Sequence, residues 1–356
     1  MDQYPRICID LAKIRHNLAE TLRHYSRLGI NVTPVTKGVG GAPEIARLFA
    51  EHDIHSLGDT HLLNIEKMQQ AGIETPFMLL RSPMLREAEQ VAVKTAYSLN
   101  SELAVIRQLD HHAARYDRSH RIILMVELGD RREGVNPENV DRSVREILEL
   151  GHIQLAGIGA NLTCLNGVTP TAEKMAELAE FATDLREKHS LTLALVSGGN
   201  SANYQWSLSA GKASGITHMR IGESILLGTD PVAIQPIPGL QTGAFRLEAS
   251  VIEAKAKPTR PAGKIAYDAF GNVPVIKDEG IQNRVLLAIG RQDLDLASTR
   301  PVSVDVQIVG ATSDHLVVHT RGKLPTVGDV LAFHLGYKSM LRLMLSPYVH
   351  KCYLKT

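Results

Sequence analysis

The chain has 356 residues, 44% hydrophobic and 22% charged, with a formal net charge of +1. That length holds a barrel of about 250 residues plus a second domain, and the near-neutral balance gives no electrostatic footprint for nucleic acid or an anionic membrane. No apolar run approaches the roughly 18 residues of a membrane span, the opening MDQYPRICIDLAKIRHN lacks a secretion-signal pattern, and Cys8, Cys164 and Cys352 are too few and too scattered for a disulfide framework. A soluble, reduced, cytoplasmic protein is expected.

In chain order, Arg6–Leu11 reads as a strand with no barrel partner, open to joining a later sheet. Strand patterns then recur at 32–37, 54–59, 77–81, 95–99, 121–128, 154–162, 193–199 and 218–222. Helical periodicity fills the spaces, as at Pro43–Phe49, Thr60–Ala71, Glu102–Tyr116, Glu138–Leu150 and Ala172–Lys188. RIILMVEL at 121–128 is a continuous apolar run, as expected of a strand buried on both faces. Eight strand–helix units predict an α/β fold, a parallel (β/α)8 barrel over residues 1–230. A doubly wound sheet is the alternative, less favoured by eight units in succession.

Pro231, Pro236 and Pro238 with Gly239 mark a boundary. Beyond it, strand-like runs at Phe245–Ala254, Arg284–Ile289, Val302–Val309, Leu316–His319 and Val330–His334, with a helix-like 336–344, predict a smaller, mainly β domain over 235–356.

The chemistry gathers at strand ends. NVTPVTKGVGG at 31–41 delivers Lys37 from an apolar strand into a glycine-rich turn. An ammonium is costly to desolvate; a lysine held at a barrel mouth can condense with a carbonyl cofactor. The bland alternative is a surface lysine at a strand end. Strand seven ends in Ser197-Gly198-Gly199-Asn200-Ser201 and strand eight in Arg220-Ile221-Gly222-Glu223-Ser224, the barrel position where phosphates are commonly held by backbone N–H groups. SGGNS alone is equally compatible with a turn. Strand five runs into GDRREG at 129–134, where an arginine could clamp a carboxylate or simply belong to a solvated charge run. Asn161, ending strand six, would face the mouth or cap a turn.

With these residues in order, the chain resembles the fold-type III pyridoxal-phosphate enzymes, the alanine racemase-like group, and most closely its ornithine racemase branch. The resemblance covers nearly the whole chain: VTK at 35–37, LGDRREGV at 128–135, GIGANLTC at 157–164, SGGNS at 197–201, MRIGESILLG at 219–228, YDAFGN at 267–272, AIGRQD at 288–293 and GATSDH at 310–315. It implies a homodimeric amino-acid racemase that uses pyridoxal 5′-phosphate and two bases, one on each face of the substrate α-carbon. It implies Lys37 as covalent anchor and first base, and Tyr267, given by the partner subunit, as second base. Ser201, Gly222 and Glu223 (by its backbone) match phosphate-binding positions, Arg220 the partner of the pyridine nitrogen, and Asn161 a position beside the ring where alanine racemases place a histidine. Arg132 corresponds to the arginine at the substrate carboxylate, and Thr312 and Ser313 to the segment closing that site from the same partner subunit. The ornithine branch implies a basic amino acid as substrate, whose distal ammonium needs an acidic group; Asp130, Asp268 and Asp314 are candidates.

Two other functions share parts of this pattern. A non-catalytic pyridoxal-phosphate homeostasis protein shares the barrel and lysine but lacks the β domain. A metal-assisted D-amino-acid aldolase or dehydratase shares both domains and a His-x-Cys pair, which His350-Lys351-Cys352 matches; two ligands without a third are weak evidence for zinc.

Overall fold

The computed structural model describes residues 3–211 and 213–354. Two compact units emerge: Ala12–Thr242, and the residues up to Leu11 together with those from Gly243 onward.

The first of these is a closed parallel barrel. Its strands are β1 (Asn31–Pro34), β2 (Leu57–Asp59), β3 (Phe77–Leu79), β4 (Tyr97–Asn100), β5 (His120–Met125), β6 (Ile153–Gly159), β7 (Leu195–Ser197) and β8 (His218–Ile221). They pair in the order β1-β8-β7-β6-β5-β4-β3-β2, and a bridge from Val35 to Gly58 joins the two ends. Connections between parallel neighbours require a crossover, and helices such as Pro43–Ala50, Leu62–Gln70, Leu103–Arg115, Val140–Leu148 and Ala172–His189 supply it. The helices are amphipathic: Val105, Ile106, Leu109 and Ala113 are the buried face of Leu103–Arg115, the i, i+4 and i+8 spacing of one helical stripe. Met78, Tyr97, Leu99, Ile123, Met125 and Leu195 pack into one core cluster.

Several strands are shorter than their apolar runs. β5 stops at Met125 because Glu127 N donates to Val135 O at 3.0 Å, turning the chain back on itself. At that return Gly134 has φ of 143°, and a Cβ there would lie 2.5 Å from Glu127 N. No side chain larger than hydrogen fits such an approach.

The second unit is an antiparallel sheet. Phe245–Pro258 pairs with Ile281–Leu287 and Val330–Leu335; Leu316–Thr320 and Val306–Ala311 extend the sheet beyond Ile281–Leu287. The expected strand at Val302–Val309 is displaced to Val306–Ala311, because a turn at Ser303 (its carbonyl accepting from Val306 N, its Oγ from Asp305 N) occupies the first part of the run. Arg6–Asp10 lies in this sheet too, antiparallel to Phe245–Pro258 and parallel to His350–Leu354. Ile7 and Ile9 are fully buried, which accounts for an apolar strand with no place among the eight of the barrel.

Candidate active site

Residues just past the barrel strands form the site. After β1, Thr36 is held by Asp59 at the end of β2: its Oγ1 donates to Asp59 Oδ2 at 2.7 Å. The other oxygen of Asp59 accepts the N–H groups of Thr60 (2.7 Å) and His61 (3.0 Å) and Asn64 Nδ2 (2.9 Å). This buried carboxylate therefore fixes two strand ends at once. Lys37 opens a single 3-10 turn, ended by Gly40 in the left-handed region at φ 59°. The residue is half-buried, and its amine makes no hydrogen bond or ion pair among the described residues.

The ends of β7 and β8 are knitted together. Ser201 Oγ accepts from Gly222 N at 3.3 Å and from Ser224 N at 3.2 Å, so two backbone donors converge on one point. The turn reaching Ser201 needs its glycine: Gly199 has φ of 148°, and a Cβ there would fall 2.1 Å from Asn203 Oδ1. Asn200 Nδ2 reaches across to Asn161 Oδ1 and Leu162 O, each at 3.1 Å. Asn161 is thereby held by its oxygen, and its Nδ2 is a buried donor without a partner. Two residues on, Thr163 has φ of 74°, an unusual conformation for a β-branched residue and a mark of local backbone strain.

Arg220, only 4% exposed, leans into the barrel. Its Nη2 donates to Ala160 O at 2.7 Å, and its Nη1 to Ser197 Oγ and Ser197 O. Among the described residues no carboxylate is ion-paired with it, and burial lowers its guanidinium to about 10. Behind Ser197 runs a fully buried chain: Ser197 Oγ to His218 Nδ1 (2.7 Å), His218 Nε2 to Thr33 Oγ1 (2.8 Å), Thr33 Oγ1 to Ser56 Oγ (2.6 Å). Guanidinium is a donor only, and its charge orients each dipole behind it away. Ser197 therefore donates to Nδ1, and His218 carries its proton on Nε2. Burial, and then the charge of Arg220, hold His218 well below the usual imidazole range. Burial likewise lowers His120 to about 4.

A pH prediction follows for stability. Both histidines bind a proton in the unfolded chain below about 6.5 but stay neutral when folded, so folding loses free energy as pH falls from there toward the folded pKa. Each contributes about 1.4 kcal/mol per pH unit to that slope. Denaturant unfolding of wild type and His120→Gln between pH 7 and 5 should show the variant with a shallower loss, by about one proton; equal slopes would mean that His120 titrates alike in both states.

The carboxylates of the site are mostly engaged locally. Asp130, buried, accepts from Leu165 N (3.0 Å) and Asn166 N (3.1 Å), tying the loop after β5 to the loop after β6. Arg132 is exposed and ion-paired with its neighbour Glu133. In the β unit, Tyr267 is 75% exposed in a stretch without regular structure. Asp268 there accepts the N–H groups of Phe270 (2.9 Å) and Asn272 (2.8 Å). Thr312 and Ser313 lie on a tight loop held by Arg291 N to Thr312 O (2.9 Å) and Gln292 N to Ser313 O (3.0 Å), and their hydroxyls donate to Asp314. Among the described residues no group of three His, Cys, Asp or Glu side chains is placed to hold a metal ion. His350 and Cys352 lie on the strand beside Arg6–Asp10, with Cys352 opposite Cys8.

His218 and Ser56 lie outside every motif, and Ser197 and Thr33 fall inside SGGNS and NVTPVTKGVGG without a role of their own there. Their signal was a serine, a histidine and a threonine at strand positions, where the barrel interior otherwise takes apolar residues.

Residues 9–231 match the family model described as alanine racemase, N-terminal domain. The chain belongs to this family. Its curated relatives include the ornithine racemase of Acetoanaerobium sticklandii, 36% identical and covering 98% of this chain and 99% of the relative. The lysine racemase of Thermotoga maritima is 37% identical, covering 98% of each. The fold is shared with the alanine racemase of Streptomyces lavendulae at a TM-score of 0.76 and 18% identity, over 100% of this chain and 98% of that one. The family membership and the racemase relatives make this chain a racemase of the alanine racemase type.

Proposed function

We propose that the protein is a pyridoxal 5′-phosphate-dependent racemase of basic amino acids, working by two bases in a homodimer with shared sites. The observation that carries this reading is an unpaired Lys37 at a barrel mouth that also holds a convergent pair of backbone donors and a buried, carboxylate-free arginine. The substrate class rests on the ornithine and lysine racemases to which the chain is akin over nearly its full length.

The donor set suits the cofactor. An aldehyde needs an amine, and Lys37 has one without a partner. A phosphate needs N–H and O–H donors at a concave backbone turn; Ser201, Gly222, Glu223 (by its N–H) and Ser224 provide them. A ring nitrogen can accept from Arg220, and the unpartnered Asn161 Nδ2 is a further donor.

When bound, the cofactor supplies an electron sink that acidifies the α-proton of an amino acid it holds. Lys37 Nζ takes or returns that proton on one face. Tyr267 of a second copy does so on the other, through its phenolic oxygen. Arg220 stays a fixed donor: Ser197 and Ala160 O lock it, and a guanidinium has no ready proton to give. Chemistry is thereby kept on proton return rather than transamination. Arg132 orients the substrate carboxylate, with Thr312 and Ser313 of the second copy closing over it. The Nε and Nη2 of Arg132 stay on Glu133, and the remaining N–H groups of the guanidinium fork are the donors for a substrate carboxylate.

The test is to incubate the purified, cofactor-loaded protein with single L-amino acids in deuterated water. Ornithine or lysine should give the D-enantiomer with deuterium at the α-carbon, at a kcat/KM above that of L-alanine. Inversion without solvent deuterium, or preference for alanine, would overturn the mechanism or the substrate class respectively.

A further inference from the structure

We infer that the side chain of Glu223 is the anion that receives the distal ammonium of the substrate. This deepens the reading above and rests on its basic-amino-acid substrate class.

A cation two to four methylenes from the reacting carbon must find a carboxylate near the barrel mouth that is sheltered from water and not already engaged. Asp59 accepts four hydrogen bonds from strand and helix starts. Glu127 accepts from Gly129 N and Arg131 N. Asp130 pins Leu165 and Asn166, and Glu133 holds Arg132. Asp230 holds Gln205 Nε2 and the N–H of Val232. Each of these would leave a donor unsatisfied if it turned to a ligand, which costs about 1–3 kcal/mol per buried group. Glu102 is exposed on the first turn after β4, where water screens it.

Glu223 differs from all of them. It stands two residues past β8, directly after Gly222, half-buried, with no hydrogen bond or ion pair among the described residues. It stands at the same end of the barrel as Lys37: β1 and β8 pair side by side up to Pro34 and Ile221, and Val35 N donates to Ile221 O at 2.9 Å, so the two residues leave neighbouring strand ends, and the carboxyl feels the charge of the amine. Its backbone N–H and its side chain serve different partners, phosphate and substrate, without conflict. Burial, opposed by the charge of Lys37 and aided by that of Asp230, pushes the carboxyl up to about 7. A carboxyl so placed is readily protonated when the site is empty, and an arriving ammonium stabilises the carboxylate and expels the proton. A neutral side chain of the same length offers it nothing.

The test compares ornithine with norvaline, which has the same carbon chain without the ammonium, in cofactor-loaded wild type and Glu223→Gln. The ratio of kcat/KM for ornithine over norvaline should fall by about 10²-fold in the variant, through loss of ornithine. Glu223→Asp should recover part of it. In wild type, KM for ornithine should rise about tenfold per pH unit below the carboxyl pKa, while that for norvaline stays level across the same range; this second measurement needs no variant. A ratio within threefold of wild type in Glu223→Gln, or parallel pH profiles for the two substrates, overturns the assignment and leaves the racemase intact. Absence of turnover of any basic amino acid by wild type overturns the substrate class itself, and the two failures are thus told apart.

Discussion

Lys37→Ala should abolish racemisation, with residual turnover at least about 10³-fold below wild type, because one substitution removes both the covalent anchor and the base on one face. The fold should survive: the Lys37 amine makes no contact that holds the barrel together, whereas Thr36, Asp59 and Gly40 set the turn and are untouched. The phosphate donors at Ser201, Gly222 and Ser224 remain, so the variant should still bind the cofactor, weakly and reversibly, and lose it on dialysis. Borohydride treatment of wild type should fix one cofactor per chain on the peptide containing Lys37 and none on the variant. Label on a different lysine would move the site.

Tyr267→Phe should separate two things that racemisation joins. The exposed phenol carries none of the fold, so cofactor binding should persist. Exchange of the α-proton of one enantiomer with solvent should continue through Lys37, while formation of the other falls by on the order of 10²–10⁴. Wild-type racemisation by the variant would remove Tyr267 from the mechanism. Because Tyr267 is proposed to serve a second copy, mixing Lys37→Ala with Tyr267→Phe subunits should restore about a quarter of wild-type activity at random pairing, one intact site in each mixed dimer. No recovery despite demonstrated subunit exchange would place both bases in one chain.

Much of the architecture was legible. Each barrel strand overlaps one of the eight strand patterns, and the site segments follow where those patterns break at glycines, because a ligand-facing turn must let backbone approach. Strand lengths were less legible: β5 ends early through a return bond from Glu127 to Val135, which apolarity does not encode. The chain from Arg220 through Ser197 and His218 to Thr33 and Ser56 was invisible for a different reason. It joins β1, β7, β8 and the approach to β2, and one-dimensional spacing carries no register between strands so far apart. The same holds for the acidic residues. Asp130 and Asp268 look available as ammonium partners until their backbone donors are seen; Glu223, inside a phosphate-type motif, does not draw attention as a side chain.

The strand Arg6–Asp10 bears on how the chain is made. It is made before the barrel, yet its neighbours, Phe245–Pro258 and His350–Leu354, are translated only after the whole barrel. The barrel unit has all its strands once Ile221 is out and can fold while synthesis continues, whereas the β unit must wait for its last strand. Through that interval Ile7 and Ile9, destined for full burial, remain as an apolar segment with unpaired backbone groups, the kind of edge that invites association with other chains. Ribosome-arrested intermediates ending near residue 300 should therefore contain a protease-resistant barrel and a cleavable leading segment.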